Sequence, residues 1–265
     1  MFRSDFEVLC SMFALCRRER PCELPVEPER ELENRERGSV NGRMSSEMRR
    51  LLIAIDGPSG AGKGTISRAI SEALGYRHVD TGAMYRAVGW KAAHDGIPLD
   101  DEAAVSAMAQ RAALVVEGGV VKIDGHDVTR AIRTPEIDRA ATAVARLPKV
   151  REVLVARQRA LGADGGVVME GRDIGTVVFP AADVKVYLDA SAEERARRRA
   201  TDASHSGSQA GQAAVAAAIE ARDKADTTRK VSPLSIAVDA VHIDTTEMPI
   251  EQVVDQVMGL VRSKL

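Results

Sequence analysis

Nine consecutive residues, Gly57-Pro58-Ser59-Gly60-Ala61-Gly62-Lys63-Gly64-Thr65, constrain the fold more than any other stretch of this chain. The apolar run Leu51-Leu52-Ile53-Ala54-Ile55 precedes them. Ile66, Ala69, Ile70, Ala73 and Leu74 follow at the spacing of one helical face. A strand, a glycine-rich turn, a lysine and a helix, in that order, make a phosphate-binding loop in the context that gives the motif its meaning. The glycines let backbone N–H groups turn inward, and the helix N-terminus adds the positive end of its dipole. Lys63 supplies a movable charge for the β and γ oxygens. The bland alternative, a glycine-rich turn joining a strand to a helix, is set aside, and the pattern implies a bound nucleoside triphosphate.

Gly64 stands where Ser or Thr usually follows the lysine, and Thr65 comes one residue later. Thr65 is therefore the candidate to hold a magnesium ion, directly or through a water. The Gly-Lys-Gly-Thr ending is typical of small-molecule nucleotide kinases.

Composition excludes several other classes. The net charge is −2 and aromatic residues make up 3% of the chain, so neither bulk nucleic-acid binding nor base-stacking platforms have support. No apolar run reaches the length of a membrane span. Cys10, Cys16 and Cys22 all lie near the start, leaving the body without disulfides, as expected in a reducing cytoplasm. Residues 1–47 read as a disordered extension, since Arg17 to Arg37 is dense in Arg, Glu and Pro without a sustained apolar face. Met44 and Met48 stand just before the first strand. One economical reading is that translation begins at one of them, which the mass of the native N-terminus would settle.

From Leu51 onward strands and helices alternate. Strands are expected at 51–55, at a short segment ending on Asp80, and at 166–170, 184–188 and 239–243. Helices are expected at 63–74, 82–94, 101–112, 135–145, 148–161, 191–203, 212–225 and 249–263. This predicts a parallel sheet with helices on both faces and a ligand beyond the strands' carboxyl ends. One segment breaks the alternation. Leu114 to Glu117 and Val120 to Ile123 flank Gly118-Gly119, a two-residue hairpin signal, and Asp124-Gly125 marks another turn. An antiparallel insertion over roughly 113–130 is expected. The Ser/Gly/Ala/Gln-rich stretch 203–214, between two helices dense in arginine and acids, has the composition of a mobile lid.

Arginines gather where a phosphoryl-transfer site would need them: Arg86, Arg133, Arg151, Arg172, Arg195, Arg197, Arg198, Arg199, Arg222 and Arg229. Transfer between two anionic substrates demands many fixed cations and little covalent chemistry. Arg197 or Arg199 alone could equally be a solvated helix face. Arg172, directly after an expected central strand, could not.

These segments together resemble the bacterial cytidylate (CMP) kinases, of the P-loop nucleoside monophosphate kinase type, over roughly residues 51–265. The resemblance rests on Asp56 to Thr65, on Asp80-Thr81-Gly82-Ala83-Met84-Tyr85-Arg86, on Gly171 to Pro180, on Leu188 to Arg195 and on Arg222-Asp223. It implies a parallel five-stranded P-loop sheet. The core would be formed by 51–81 and 163–265, with a monophosphate-binding insertion over about 82–162 and a lid over about 195–229. Gly57 to Thr65 would then hold ATP, the phosphoryl donor, with Mg²⁺. Thr81, Tyr85 and Arg86 would line the CMP pocket, joined by Arg133. Arg151, Asp173 and Thr142 would read the cytosine edge. Arg172, Arg222 and Arg229 would bind the phosphate or sugar of CMP, and Asp226 the ribose hydroxyls. Lys63, Arg172, Arg222 and Arg229 would be the catalytic cations.

The sequence departs from the family pattern at Glu170, where Asp is usual, and at Thr81, where many members have Ser. The expected activity is ATP-dependent phosphorylation of CMP and dCMP by a monomeric cytoplasmic enzyme. The rivals are an adenylate kinase, a UMP/CMP kinase or another small-substrate kinase, and, from another class, a regulatory ATP-binding module without transfer activity. A partner-binding role for residues 1–47 is a further, non-enzymatic idea.

Overall fold

A computed structural model describes residues 50–202 and 211–265. The extension expected over 1–47 and most of the polar stretch 203–214 lie outside those residues. Five parallel strands form the central sheet: β1 (Leu52–Asp56), β2 (Arg77–Asp80), β6 (Val167–Glu170), β7 (Val184–Asp189) and β8 (Val241–Asp244), in the order β2-β6-β1-β7-β8. The register pairs Ile53 with Val168 on one side and with Val184 on the other. Every residue of β1 is buried, as a strand covered on both faces requires.

Helices cover both faces. α1 (Lys63–Leu74) and α8 (Ile250–Arg262) pack on one, where Ile66, Ile70, Val253, Val257 and Val261 meet Ile53, Ile55, Val168, Val186 and Leu188. On the other face Val155 of α5 (Pro148–Gly162) and the turn residues Ile174 and Val178 meet Ala54, Val79, Val167 and Met169. Ile55 and Leu188 are fully buried, so truncating either to Ala would cost about 2–5 kcal/mol.

Between β2 and β6 the chain builds a second body. α2 (Thr81–His94), α3 (Glu102–Arg111), α4 (Pro135–Val144) and the first half of α5 share a core of Met84, Val88, Val105, Val121, Ile123, Ile132, Val144 and Leu154. The expected hairpin forms as β3 (Leu114–Glu117) and β4 (Val120–Ile123), in register Leu114 to Ile123. A third short strand, β5 (His126–Asp127), follows the Asp124-Gly125 turn. α6 (Ala192–Thr201) and α7 (Gln212–Thr228) lie on either side of the stretch not described, and α7 runs three residues past its expected end.

The helix starts are written in the sequence. Asp80, Asp101, Thr134 and Ser191 each accept a backbone N–H three residues on, capping α2, α3, α4 and α6. Gly75, left-handed at φ 62°, closes α1.

The block Gly171 to Pro180 contains an element the periodicity does not reveal, a π-helical turn over Ile174–Val178. All five parallel strands end on a carboxylate: Asp56, Asp80, Glu170, Asp189 and Asp244. The carboxyl edge of the sheet, where α/β proteins place their ligands, therefore carries fixed anions that the arginines can meet.

Candidate active site

The loop between β1 and α1 is shaped by close approach. Gly57 has φ +145°, and a Cβ there would fall 2.0 Å from the Leu188 carbonyl oxygen; Gly60, at φ +84°, would place one 2.9 Å from Arg195. No side chain caps α1, so the N–H groups of its first turn are left to the cleft. Lys63 folds back and donates to the Pro58 carbonyl at 2.6 Å. Burial, and then the nearby Arg172 charge, hold its ammonium well below the usual lysine range, while Glu170 opposes them. An arriving polyphosphate would bring negative charge beside it and favour the ammonium form.

Two further elements brace the loop. Arg195 of α6 donates to the Ser59 carbonyl at 3.2 Å and pairs with Asp223 of α7, which accepts the Ser59 N–H at 3.4 Å. Glu170, at the end of β6, pairs with His78 at 2.9 Å and reaches the start of α1. A Cβ on Gly64 would sit 3.4 Å from its carboxylate, so the glycine after Lys63 leaves room for that anion. Thr65 is exposed and lines the same cleft.

The remaining expected residues form a network of arginines and carboxylates. Arg172 donates to Asp226 at 3.0 Å, and Arg151 pairs with Asp173 in full burial. Arg229 lies 3.5 Å from Asp173 and 3.7 Å from Asp226. Arg86 donates to Asp80 at 2.7 Å, with Arg133 at 3.6 Å from the same carboxylate. Arg222 lies 3.3 Å from Asp138 of α4, which also meets Arg199. Thr81 donates to the Glu170 carbonyl at 2.7 Å, and Thr142 to the Asp138 carbonyl at 2.9 Å. The Arg151 guanidinium lies 5.5 Å over the Tyr85 ring.

Cations are crowded enough here to disturb one another. Burial and the Arg172 charge lower Arg222 to about 10, and burial with Arg151 lowers Arg229. Burial pushes the Asp80 carboxyl up, but Arg86 and Arg133 more than reverse it; Asp226 is likewise lowered by Arg172, Arg222 and Arg229 against its burial. Three guanidinium nitrogens, Arg86 Nε, Arg151 Nε and Arg229 Nη2, are buried without a hydrogen-bond acceptor. Buried donors left unpaired are costly, so holding this lattice of guanidinium groups together carries a free-energy cost.

Two cavities divide these residues. A cleft of about 1510 Å³ is lined by Ser59 to Ile66 and Arg68, by Arg86, Arg130 and Arg133, by Arg197 to Arg199, and by Thr245 to Glu251. A smaller one of about 50 Å³ is lined by Thr81, Tyr85, Thr142, Arg151, Asp173, Asp226 and Arg229. Gly82, Gly171, Arg172 and Arg222 line both, so the two spaces meet at a pair of arginines. Arg86 and Arg133 face only the large cleft, away from the small cavity where Thr81 and Tyr85 sit.

The sequence profile of the family described as "Cytidylate kinase" matches residues 53–263. The chain belongs to the cytidylate kinase family. The cytidylate kinase of Desulfitobacterium hafniense (strain Y51) is 48% identical over 218 residues, covering 81% of this chain and 94% of that protein. That of Pelotomaculum thermopropionicum is 49% identical over 214 residues, covering 79% and 95%. A more distant likeness is the solved structure of a gluconokinase from Sinorhizobium meliloti 1021, 18% identical with a TM-score of 0.44, covering 82% of this chain and 94% of that one.

Within the cytidylate kinase fold, several groups at the site carry no flag in the sequence. Asp80 and Asp138 hold arginines, His78 holds Glu170, and the 245–251 segment lines the cleft through a turn where the Thr245 hydroxyl meets Arg198 at 2.9 Å. The acids that end the strands were a partial signal: the expected strands stop on Asp80 and Glu170, but one residue short of Asp56, Asp189 and Asp244.

Proposed function

We propose that this chain transfers the γ-phosphoryl group of ATP to the phosphate of CMP or dCMP, giving ADP and the diphosphate. The observation that carries the reading is the junction of the two cavities. A donor bound on Gly57 to Thr65 and an acceptor seated among Thr81, Arg151, Asp173 and Arg229 would meet between Arg172 and Arg222. Two anions can approach there only because the cations are fixed in advance.

The acceptor oxygen is already anionic at neutral pH, so the site needs no strong base. Its work is positioning and charge neutralisation. Lys63 leaves the Pro58 carbonyl for the phosphates. Arg172, held by Asp226, and Arg222, held by Asp138, flank the migrating group. Arg151, Asp173 and the Thr142 hydroxyl offer donors and acceptors that match the cytosine amine, N3 and O2. Arg86 and Arg133, on the large cleft, serve the phosphate side rather than the base.

Thr65 and Glu170 supply hard oxygen donors beside the loop, which suits Mg²⁺. Among the described residues no group of three or more His, Cys, Asp or Glu forms a protein cage, so the ion would be held largely by phosphate oxygens and waters. Bound there, it would neutralise charge on the β and γ phosphates.

In the same scheme α6 and α7 flank the donor, and residues 82–162 carry much of the acceptor site. No described helix is long and apolar enough to cross a membrane. The test is a panel in which ATP is offered CMP, dCMP, UMP and AMP as acceptors. Turnover strongest with the two cytosine nucleotides is expected, and a preference for AMP would overturn the reading.

A further inference from the structure

Asp56 ends β1 and is the last residue before the phosphate loop, yet its carboxylate does not turn toward that loop. Oδ1 accepts the N–H of Ile174 at 2.9 Å and Oδ2 accepts the N–H of Gly175 at 2.7 Å, across 118 and 119 residues of chain. Those are the first two amides of the π-helical turn in the Gly171 to Pro180 block. The first N–H groups of a helical turn have no partner of their own, and an Asp at the N-cap position normally accepts one of them.

The N-cap residue here is an Asp, Asp173, but its side chain makes no cap bond. It points the other way, into the pair with Arg151 and toward Arg229 at 3.5 Å. The same turn is held from its far end too: Arg159 donates to the carbonyls of Val177 at 2.8 Å and Val178 at 3.1 Å, and Lys185 donates to that of Pro180.

We propose that Asp56 is a positioning residue for the acceptor. By capping the 174–178 turn from outside, it releases the Asp173 carboxylate to organise Arg151 and Arg229 around the base. It is also the one covalent neighbour of the phosphate loop that reaches the acceptor block, and so fixes donor and acceptor halves to one frame. Burial outweighs the pull of the two N–H groups and leaves the Asp56 carboxyl at about 6, so it stays largely ionised at neutral pH. Ionised, it accepts both bonds at full strength.

The inference rests on the reading of the Asp173 cavity as the acceptor side, and the experiment separates the two. Asp56→Asn keeps the shape but presents an amide N–H₂ to one of the two backbone donors. Calorimetry with CMP and with a non-hydrolysable ATP analogue should show CMP affinity reduced at least about tenfold while the ATP analogue changes less than about threefold. In an Asp173→Asn background the further change from Asp56→Asn should shrink to less than about twofold, because the two act through one another.

Equal weakening of both ligands, no change in either, or a full additive loss in the double variant would overturn the proposal. Asp56→Ser gives a second reading if the amide folds poorly, and loss of ATP binding in both variants would make the role purely structural. If Asp173→Asn alone left CMP binding intact, the acceptor reading itself would fail, whatever Asp56 does.

Discussion

The two halves of the site are built from different materials. The side proposed for the donor is made of backbone: glycines at positive φ, uncapped N–H groups at the start of α1, and one lysine resting on a carbonyl. The side proposed for the acceptor is made of side chains, with Arg172, Arg151, Arg229 and Arg222 each set against Asp226, Asp173 or Asp138. A backbone cradle needs local sequence only, and it holds any triphosphate in one way. A lattice of ion pairs needs the whole fold, and in return it can choose among acceptors, since each buried group left unpaired by a wrong base is penalised.

The sharpest way to break that comparison is at the single side chain on which the donor half depends. Lys63→Ala should lower turnover by about a thousandfold or more, because no neighbouring cation on the loop replaces it. A coupled assay checks this, and turnover near that of the unaltered chain would mean the backbone cradle suffices alone. Arg172→Ala comes next. It leaves Asp226 buried with one partner fewer and strips the junction of a fixed charge, so kcat/KM for CMP should fall by roughly a hundredfold. Affinity for an ATP analogue, measured calorimetrically, should change by less than about threefold if the halves are as separate as their construction suggests.

Asp56 offers a test in stability rather than rate. Its folded value near 6 lies above the 3.8 of the free carboxyl. Between those values the folded state holds the proton more tightly than the unfolded one. This group's contribution therefore falls as pH rises from about 4 to 6, by about 3 kcal/mol in total, and stays at its lower level above that window. Asp80 and Asp226 have the opposite sign: their carboxyls are lowered, so their support is present above about pH 4 and is lost on acidification. Denaturant unfolding of the unaltered chain and of Asp56→Asn should therefore show a difference that grows in favour of the variant from pH 4 to 7. A flat difference would show that the buried carboxylate costs nothing, and that the acceptor half is no more strained than the donor half.

The same contrast explains what could be read in the sequence. Strand, loop, lysine and helix are local, so the bounds of α1 came out to the residue. The helical periodicity and the Gly118-Gly119 turn placed helices and hairpin nearly as closely, while β1 and β8 shifted by only one or two residues. The arginines were legible as a set, because clustering of cations is a composition signal. Their partners were not. Arg172 meets Asp226 across 54 residues, Arg222 meets Asp138 across 84, and His78 meets Glu170 across 92, and nothing in local spacing assigns such pairs. The π-helical turn escaped for a related reason: Asp173 stands where it would cap an ordinary helix, but its cap comes from Asp56 on another strand. Resemblance supplied the roles of Arg151, Asp173 and Thr142, and the fold then gathered all three at one small cavity.

Thr142 sharpens the comparison at its finest grain and carries the smallest effect. Its hydroxyl donates to the Asp138 carbonyl one turn back in α4. With that proton committed, the oxygen faces a ligand in the small cavity only as an acceptor. A cytosine amine can donate to it, whereas the uracil carbonyl at the same place cannot and would set two acceptors against each other. Thr142→Val, close in shape and without the hydroxyl, should therefore lower CMP affinity by about threefold and leave UMP no worse. The ratio of kcat/KM for CMP to that for UMP should fall by roughly three- to tenfold. ATP parameters should not move, as Thr142 lies in the acceptor lattice and touches none of the backbone that holds the donor. An unchanged ratio would place base choice wholly with Arg151 and Asp173.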